Sequence, residues 1–104
     1  MVYKSRLPRH FYSSENLRLF YLEEANSPLQ ISTPKKLFKT AVSRNKIKRI
    51  IKEVFRTGGL EPVSGGFLIL VYESFSDLSF KEASFEIVKA VKSHQTKIIF
   101  NHEQ

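Results

Sequence analysis

From Asn16 to Glu23 the side chains Leu17, Leu19 and Tyr21 alternate with Arg18, Phe20 and Leu22. A period of two sends successive side chains to opposite sides of an extended chain, so this run is predicted to be a strand. Asn26-Ser27-Pro28 is a turn signal, and Leu29 to Thr33 is expected to return as an antiparallel strand until Pro34, which has no amide donor, ends the pairing. The period then changes. At about 100° per residue, Ile47, Ile50, Ile51, Val54 and Phe55 share one side of a helix. Thr40 or Ser43 can cap its start, and Gly58-Gly59 can end it. Beyond a Pro62 to Gly66 linker, Phe67-Leu68-Ile69-Leu70-Val71-Tyr72 is an unbroken apolar run of strand length, expected at the centre of a sheet and covered on both faces. Ser79-Phe80-Lys81-Glu82 has the spacing of a capping box. About four helical turns are expected after it, with Phe80, Ala83, Ile87 and Val91 towards the sheet.

The two ends are less patterned. Met1 to Arg9, which includes Lys4, Arg6 and Pro8, is expected to be an extended basic arm, either a phosphate contact or a frayed terminus. Lys97-Ile98-Ile99-Phe100 suits a short edge strand or an apolar clamp equally. The chain of 104 residues fits one α+β domain spanning 1–104, with an arm at 1–9 and a tail at 95–104.

Charge changes this picture most. Seventeen Lys plus Arg against ten Asp plus Glu give a net +7, and Lys35 to Arg56 holds nine of those cations with a single acid, Glu53. On the helical projection Asn45, Lys48, Arg49, Lys52 and Arg56 make one stripe, with Arg44 at its border with the apolar side. A merely solvated face mixes both signs, so this concentration favours a polyanionic partner. Asn45 adds a group that both donates and accepts. Arg44 and Arg49 lie outside the apolar set, so replacing both is expected to cost affinity and leave folding intact. On the first strand, Arg18 and Phe20 share a face. There they either receive an unpaired base and its phosphate, or Phe20 packs beneath a helix.

Chemistry on the protein itself has few candidates. The chain has no cysteine, which removes disulfides, thiolate catalysis and cysteine zinc sites. His10, His94 and His102 lack ligand spacing, and consecutive Glu23 and Glu24 on a strand point apart. Gly58-Gly59 and Gly65-Gly66 lack the lysine and hydroxyl residue of a phosphate-binding loop. No catalytic residue and no metal ligand is therefore assigned. With no apolar run of membrane length and no apolar segment after the basic start, a soluble cytoplasmic protein is expected.

At Ala41-Val42, Arg44-Asn45, Lys48-Arg49, Glu53 and Phe55-Arg56 the sequence resembles the signature of the bacterial ribonuclease P protein subunit. That pattern runs from two lysines through Ala-Val to Arg-Asn, a Lys-Arg pair and Glu-x-Phe-Arg, and Ala41 to Arg56 fits it without a gap. A weaker likeness extends through Leu29 to Lys36, Phe67 to Tyr72 and Leu78 to Val91. The resemblance implies a two-layer α/β sandwich like domain 2 of ribosomal protein S5, with the basic helix in a left-handed crossover between parallel strands, against the usual right-handed rule. It implies an accessory role: a catalytic RNA with bound Mg²⁺ removes the 5′ leader of precursor tRNA, and the protein, a monomer in a 1:1 complex, contacts both RNAs. Carried over by position, Arg44, Asn45, Lys48, Arg49, Lys52 and Arg56 would bind the catalytic RNA near its active centre or help hold metal there, Lys35 and Lys36 would border the leader cleft, and Lys39 and Lys46 are counted with the RNA-binding residues. Arg18 and Phe20 would line the leader cleft.

The sequence departs from the family in three places. Family members open with a full helix, whereas here only Arg6-Leu7 is similar and Pro8 shortens or removes it, so either the leader contact is reduced or Phe11 and Tyr12 substitute in the cleft. Phe38-Lys39-Thr40 replaces a glycine in a loop one residue longer. Lys46 and Lys52 stand where arginine is usual, keeping charge and losing bidentate geometry. The alternative from another class is a non-catalytic, ribosome-associated or general RNA-binding module of the same fold. A DNA-binding helix-turn-helix fits poorly, because strand-like segments flank the basic helix.

Overall fold

Alternating apolar residues at the start of the chain and the unbroken apolar run after the linker meet as neighbours in one sheet. In the computed structural model, which describes residues 9–60, 62 and 65–102, with side chains described as far as Gln95, the strands are β1 (Tyr12–Ser13), β2 (Leu17–Leu22), β3 (Leu29–Ser32) and β4 (Gly66–Val71). Two helices, α1 (Ala41–Gly58) and α2 (Phe80–His102), follow β3 and β4, and a 3-10 turn at Glu73–Asp77 precedes α2. Residues 1–8 of the basic arm lie outside the described residues, and Arg9 is exposed.

The sheet order is β1-β2-β4-β3, with β2 antiparallel and β3 parallel to β4. This corrects the expected hairpin: β3 does not return along β2, because β4 lies between them. β4 is the most apolar strand, and the interior position buries more of it than an edge would. α1 is thus a crossover between the parallel strands β3 and β4, as the family resemblance implies.

Register separates the two faces. Leu17 lies opposite Val71, Leu19 opposite Ile69 and Tyr21 opposite Phe67, while Arg18, Phe20 and Leu22 pair with Leu70, Leu68 and Gly66 on the other face. The first face meets the helices. Ile47, Ile51, Val54 and Phe55 of α1 and Ala83, Ile87, Ala90 and Val91 of α2 join Leu17, Leu19, Phe67, Ile69 and Val71 in one core. Phe38, Leu60 and Phe75, all from connecting segments, complete it.

Local chemistry fixes the helix ends. Thr40, extended at φ −103° and ψ 148°, accepts from the Ser43 amide and is the N-cap of α1. Gly59 closes the helix in the left-handed region at φ 62°, and its amide donates to the Phe55 carbonyl. The capping box forms: the Ser79 amide donates to Glu82 Oε1 at 2.9 Å and the Glu82 amide to Ser79 Oγ at 3.1 Å. α2 is longer than the expected four turns, at 23 residues, and Lys97–Phe100 is helical. Phe80 is also corrected: it is 46 % exposed, while Phe75 of the preceding 3-10 turn is 2 % exposed within the core. Among the described residues no helix is long and apolar enough to cross a membrane.

The Glu86 carboxylate ties the first strands to α2. It accepts from the Tyr12 hydroxyl at 2.6 Å, Ser14 Oγ at 2.6 Å and Asn16 Nδ2 at 3.0 Å. Partial burial pushes its pKa up, but the hydrogen bonds from Ser14, Tyr12 and Asn16 outweigh this and hold it below the ordinary 4.5. Burial, with the bond to Glu86 and that group's charge, raises the Tyr12 phenol above 10.0. A carboxyl depressed on folding contributes stability above its unfolded pKa and loses it as pH falls through the folded value. A phenol raised on folding contributes below its unfolded pKa and loses it as pH rises through the folded value. Urea unfolding from about pH 3 to 7 is therefore expected to show an acid-side loss of stability that is smaller in Glu86→Gln. An unchanged acid limb in that variant would remove Glu86 as its source.

Candidate nucleic-acid interface

The side of α1 away from the core carries the cationic stripe. Asn45, Arg49, Lys52 and Arg56 are exposed and Lys48 is partly so. With Glu53 these residues line a shallow surface depression. Lys46 is exposed but outside that lining. Glu53, the only acid of the helix, is engaged: Arg56 Nε donates to its Oε1 at 3.1 Å and Arg56 Nη2 contacts Oε2. The guanidinium lowers the carboxyl's pKa, so Glu53 stays ionised and offsets part of the Arg56 charge. Arg49 and Lys52 bond to no other described residue, which leaves both free to meet an outside anion.

Arg44 departs from the expectation that it is dispensable for folding. Its Nη1 donates to the Phe38 carbonyl at 2.7 Å, and Phe38 is buried in the core. It therefore pins the loop leading into α1. That loop turns through the Leu37 and Phe38 amides, both donating to the Pro34 carbonyl, and holds Lys35, Lys36 and Lys39 exposed. In this loop Phe38, Lys39 and Thr40 thus supply a core anchor, an exposed cation and the helix cap.

The residues expected around a leader cleft do not gather in one place. Arg18 lies on the sheet face away from the helices, where its Nε donates to Ser13 Oγ at 3.3 Å and its guanidinium sits 5.9 Å from the centre of the Tyr72 ring. Phe20 shares that face but is 6 % exposed, against Leu68 and with the His10 ring edge-on at 6.1 Å. It supports the surface rather than offering a ring to stack on. Phe11 and Tyr12 go to the helical side: Phe11 stacks on His94 with centroids 4.1 Å apart, and Tyr12 donates to Glu86.

Two features escape a sequence reading. Tyr72 ends the apolar run of the central strand, but its ring stands beside Arg18. A second depression, lined by Pro28, Leu29, Lys52, Phe55, Arg56 and Gly59, places the start of β3 against two cations of α1. Strand pairing creates it, and residues 28 and 56 show no local sign of being neighbours.

A mixed four-stranded sheet with two helices on one face, one of them lined with cations, has the fold of ribonuclease P proteins. The Staphylococcus aureus RNase P protein superimposes with a TM-score of 0.61 at 25% identity, over 80% of each chain. The Thermotoga maritima RNase P protein does so at 0.58 and 26% identity, over 79% of this chain and 80% of that one. The chain belongs to the ribonuclease P protein family: the family model described as Ribonuclease P matches residues 4–95. Among curated relatives, the ribonuclease P protein component of Vibrio cholerae is 41% identical over 54 residues, 52% of this chain and 46% of the relative. That of Buchnera aphidicola subsp. Baizongia pistaciae is 46% identical over 55 residues, 53% of this chain and 48% of the relative. The chain spans about half the length of the curated relatives it matches.

Proposed function

We propose that this chain is the protein subunit of ribonuclease P, a cytoplasmic monomer that pairs 1:1 with a catalytic RNA and assists removal of the 5′ leader from precursor tRNA. The observation that carries the reading is the one-sided cationic face of α1, on a chain of this family. Arg49, Lys52 and Lys48 neutralise RNA phosphates and release counterions, while Asn45 hydrogen-bonds beside them. Lys35, Lys36 and Lys39 extend the positive surface onto the preceding loop. Arg18, beside the Tyr72 ring, offers a cation and an aromatic surface to the single-stranded leader, and Phe20 holds that surface from beneath.

Hydrolysis is assigned to the RNA. A Mg²⁺ ion held by protein needs several free oxygen donors. On α1 the one carboxylate is bound by Arg56, and its neighbours are cations and the single amide of Asn45. This donor set does not suit the ion, so no step is routed through a protein-held metal. The chain contributes by lowering the repulsion between two polyanions.

Capture of RNA on the immobilised protein, followed by sequencing, tests the reading. One dominant structured RNA is expected. Recovery of bulk ribosomal RNA in its place would support a general RNA-binding module and reject the subunit assignment.

A further inference from the structure

α2 has an exposed face around Phe85, bordered on its inner side by Val88, which packs against the core. Phe85 is 68 % exposed and Phe80 46 % exposed, two large rings open to solvent on one helix. They line a shallow depression with Lys81, Ser84, Val88 and Lys89. The Lys89 ammonium lies 5.6 Å from the centre of the Phe85 ring. Lys92, one turn beyond Val88 and also exposed, falls on the same stripe. Two acids flank this face: Glu82, one turn before Phe85 and exposed, accepts from the Ser79 amide, and Glu86 is bound by Tyr12, Ser14 and Asn16. An open ring surrounded by lysines, with no acid among the lining residues, is complementary to a base and its flanking phosphates.

The charges also weigh against the other obvious occupant. A second copy of the chain would bring this face against itself about a two-fold axis and set lysine against lysine. We infer that the Phe85 face of α2 is a second contact for single-stranded RNA, with Phe85 as the stacking surface and Lys81, Lys89 and Lys92 as phosphate partners. The inference rests on the RNA-binding reading above and adds a site to it.

The chain has no tryptophan, so Phe85→Trp creates a single fluorescent reporter at an exposed position. The probe is an end-labelled octauridylate at low salt, followed by label anisotropy for total binding and by indole emission for stacking. Saturable quenching is expected. It should persist when Arg49→Ala and Lys52→Ala are added, because the two contacts are separate. It should need roughly tenfold more RNA when Lys81→Ser and Lys89→Ser are added. Phe85→Ala should weaken octamer binding to the Arg49→Ala, Lys52→Ala background by roughly fivefold or more.

Unchanged emission while anisotropy reports binding would overturn the α2 contact and leave the RNA-binding reading in place. No anisotropy change with the unmodified chain would reject both. An emission shift that follows protein concentration without RNA would mark the face as a self-association surface and overturn the inference.

Discussion

Replacing Arg49 and Lys52 together by alanine is expected to weaken binding of structured RNA roughly tenfold to a hundredfold at moderate salt, with unfolding unchanged. Both side chains are exposed on the outer side of α1, and both line the depression that also holds Asn45 and Lys48. Neither belongs to the core, which α1 reaches through Ile47, Ile51, Val54 and Phe55. Each lost phosphate contact should reduce the slope of log affinity against log salt by about one, so the double variant should be shallower by about two. The pair is chosen over Arg44 and Arg49 because the bond from Arg44 to the Phe38 carbonyl would mix a folding defect into the result. Arg56 is a weaker choice, since Glu53 already takes up part of its charge. An RNA titration across a salt series, beside urea unfolding, checks this. Equal affinity and slope would remove α1 as the binding face.

Gly66→Ala is expected to be the most damaging single methyl group in the chain, at about 3 kcal/mol or more of stability. A Cβ at this position would stand 2.1 Å from the Ser27 carbonyl oxygen and 3.0 Å from Ala25 Cβ. Both obstacles belong to the β2–β3 connection, which crosses the start of β4 so that β4 can lie between the two strands. Because the closest atom is backbone, no rotamer change relieves the clash. Gly59 makes the contrast. Its φ of 62° disfavours a side chain, but a Cβ there meets nothing within 4 Å. Gly59→Ala should therefore cost only about 1 kcal/mol. Urea unfolding of the two variants checks the order. A Gly66→Ala protein as stable as Gly59→Ala would mean that the connection does not pass this close to β4.

The same crossing explains why the sheet order was not legible in the chain. Turn residues at Asn26-Ser27-Pro28 report a local reversal, and the simplest local outcome is a hairpin. Which strand fills the gap is decided by the apolar run at Phe67–Val71, about forty residues later, through burial that no local pattern encodes. α1 was legible because both of its faces are strongly marked, aliphatic on one and cationic on the other, and because Thr40 and Gly59 bound it. The capping box at Ser79 and Glu82 was legible for a similar reason: two fixed residue types at a fixed spacing.

Short elements gave little signal. β1 has two residues, so nothing in its pattern shows which way Phe11 and Tyr12 point, and both pack towards α2 rather than beside Phe20. A four-residue apolar run such as Lys97–Phe100 does not separate helix from strand by period. Among the site residues, charge and position on α1 were readable, but bonding partners were not. Arg44 as a loop anchor, Arg56 as half of an ion pair, and Tyr72 beside Arg18 all depend on backbone placed by distant segments.

Cleavage of a precursor tRNA by the cognate catalytic RNA at low Mg²⁺, with and without this protein, tests the assignment most directly. Adding the chain should raise the rate or tighten substrate binding, and the Arg49→Ala, Lys52→Ala variant should lose most of that gain. Equal rates and equal affinities with and without the chain would contradict a role as the protein subunit of ribonuclease P.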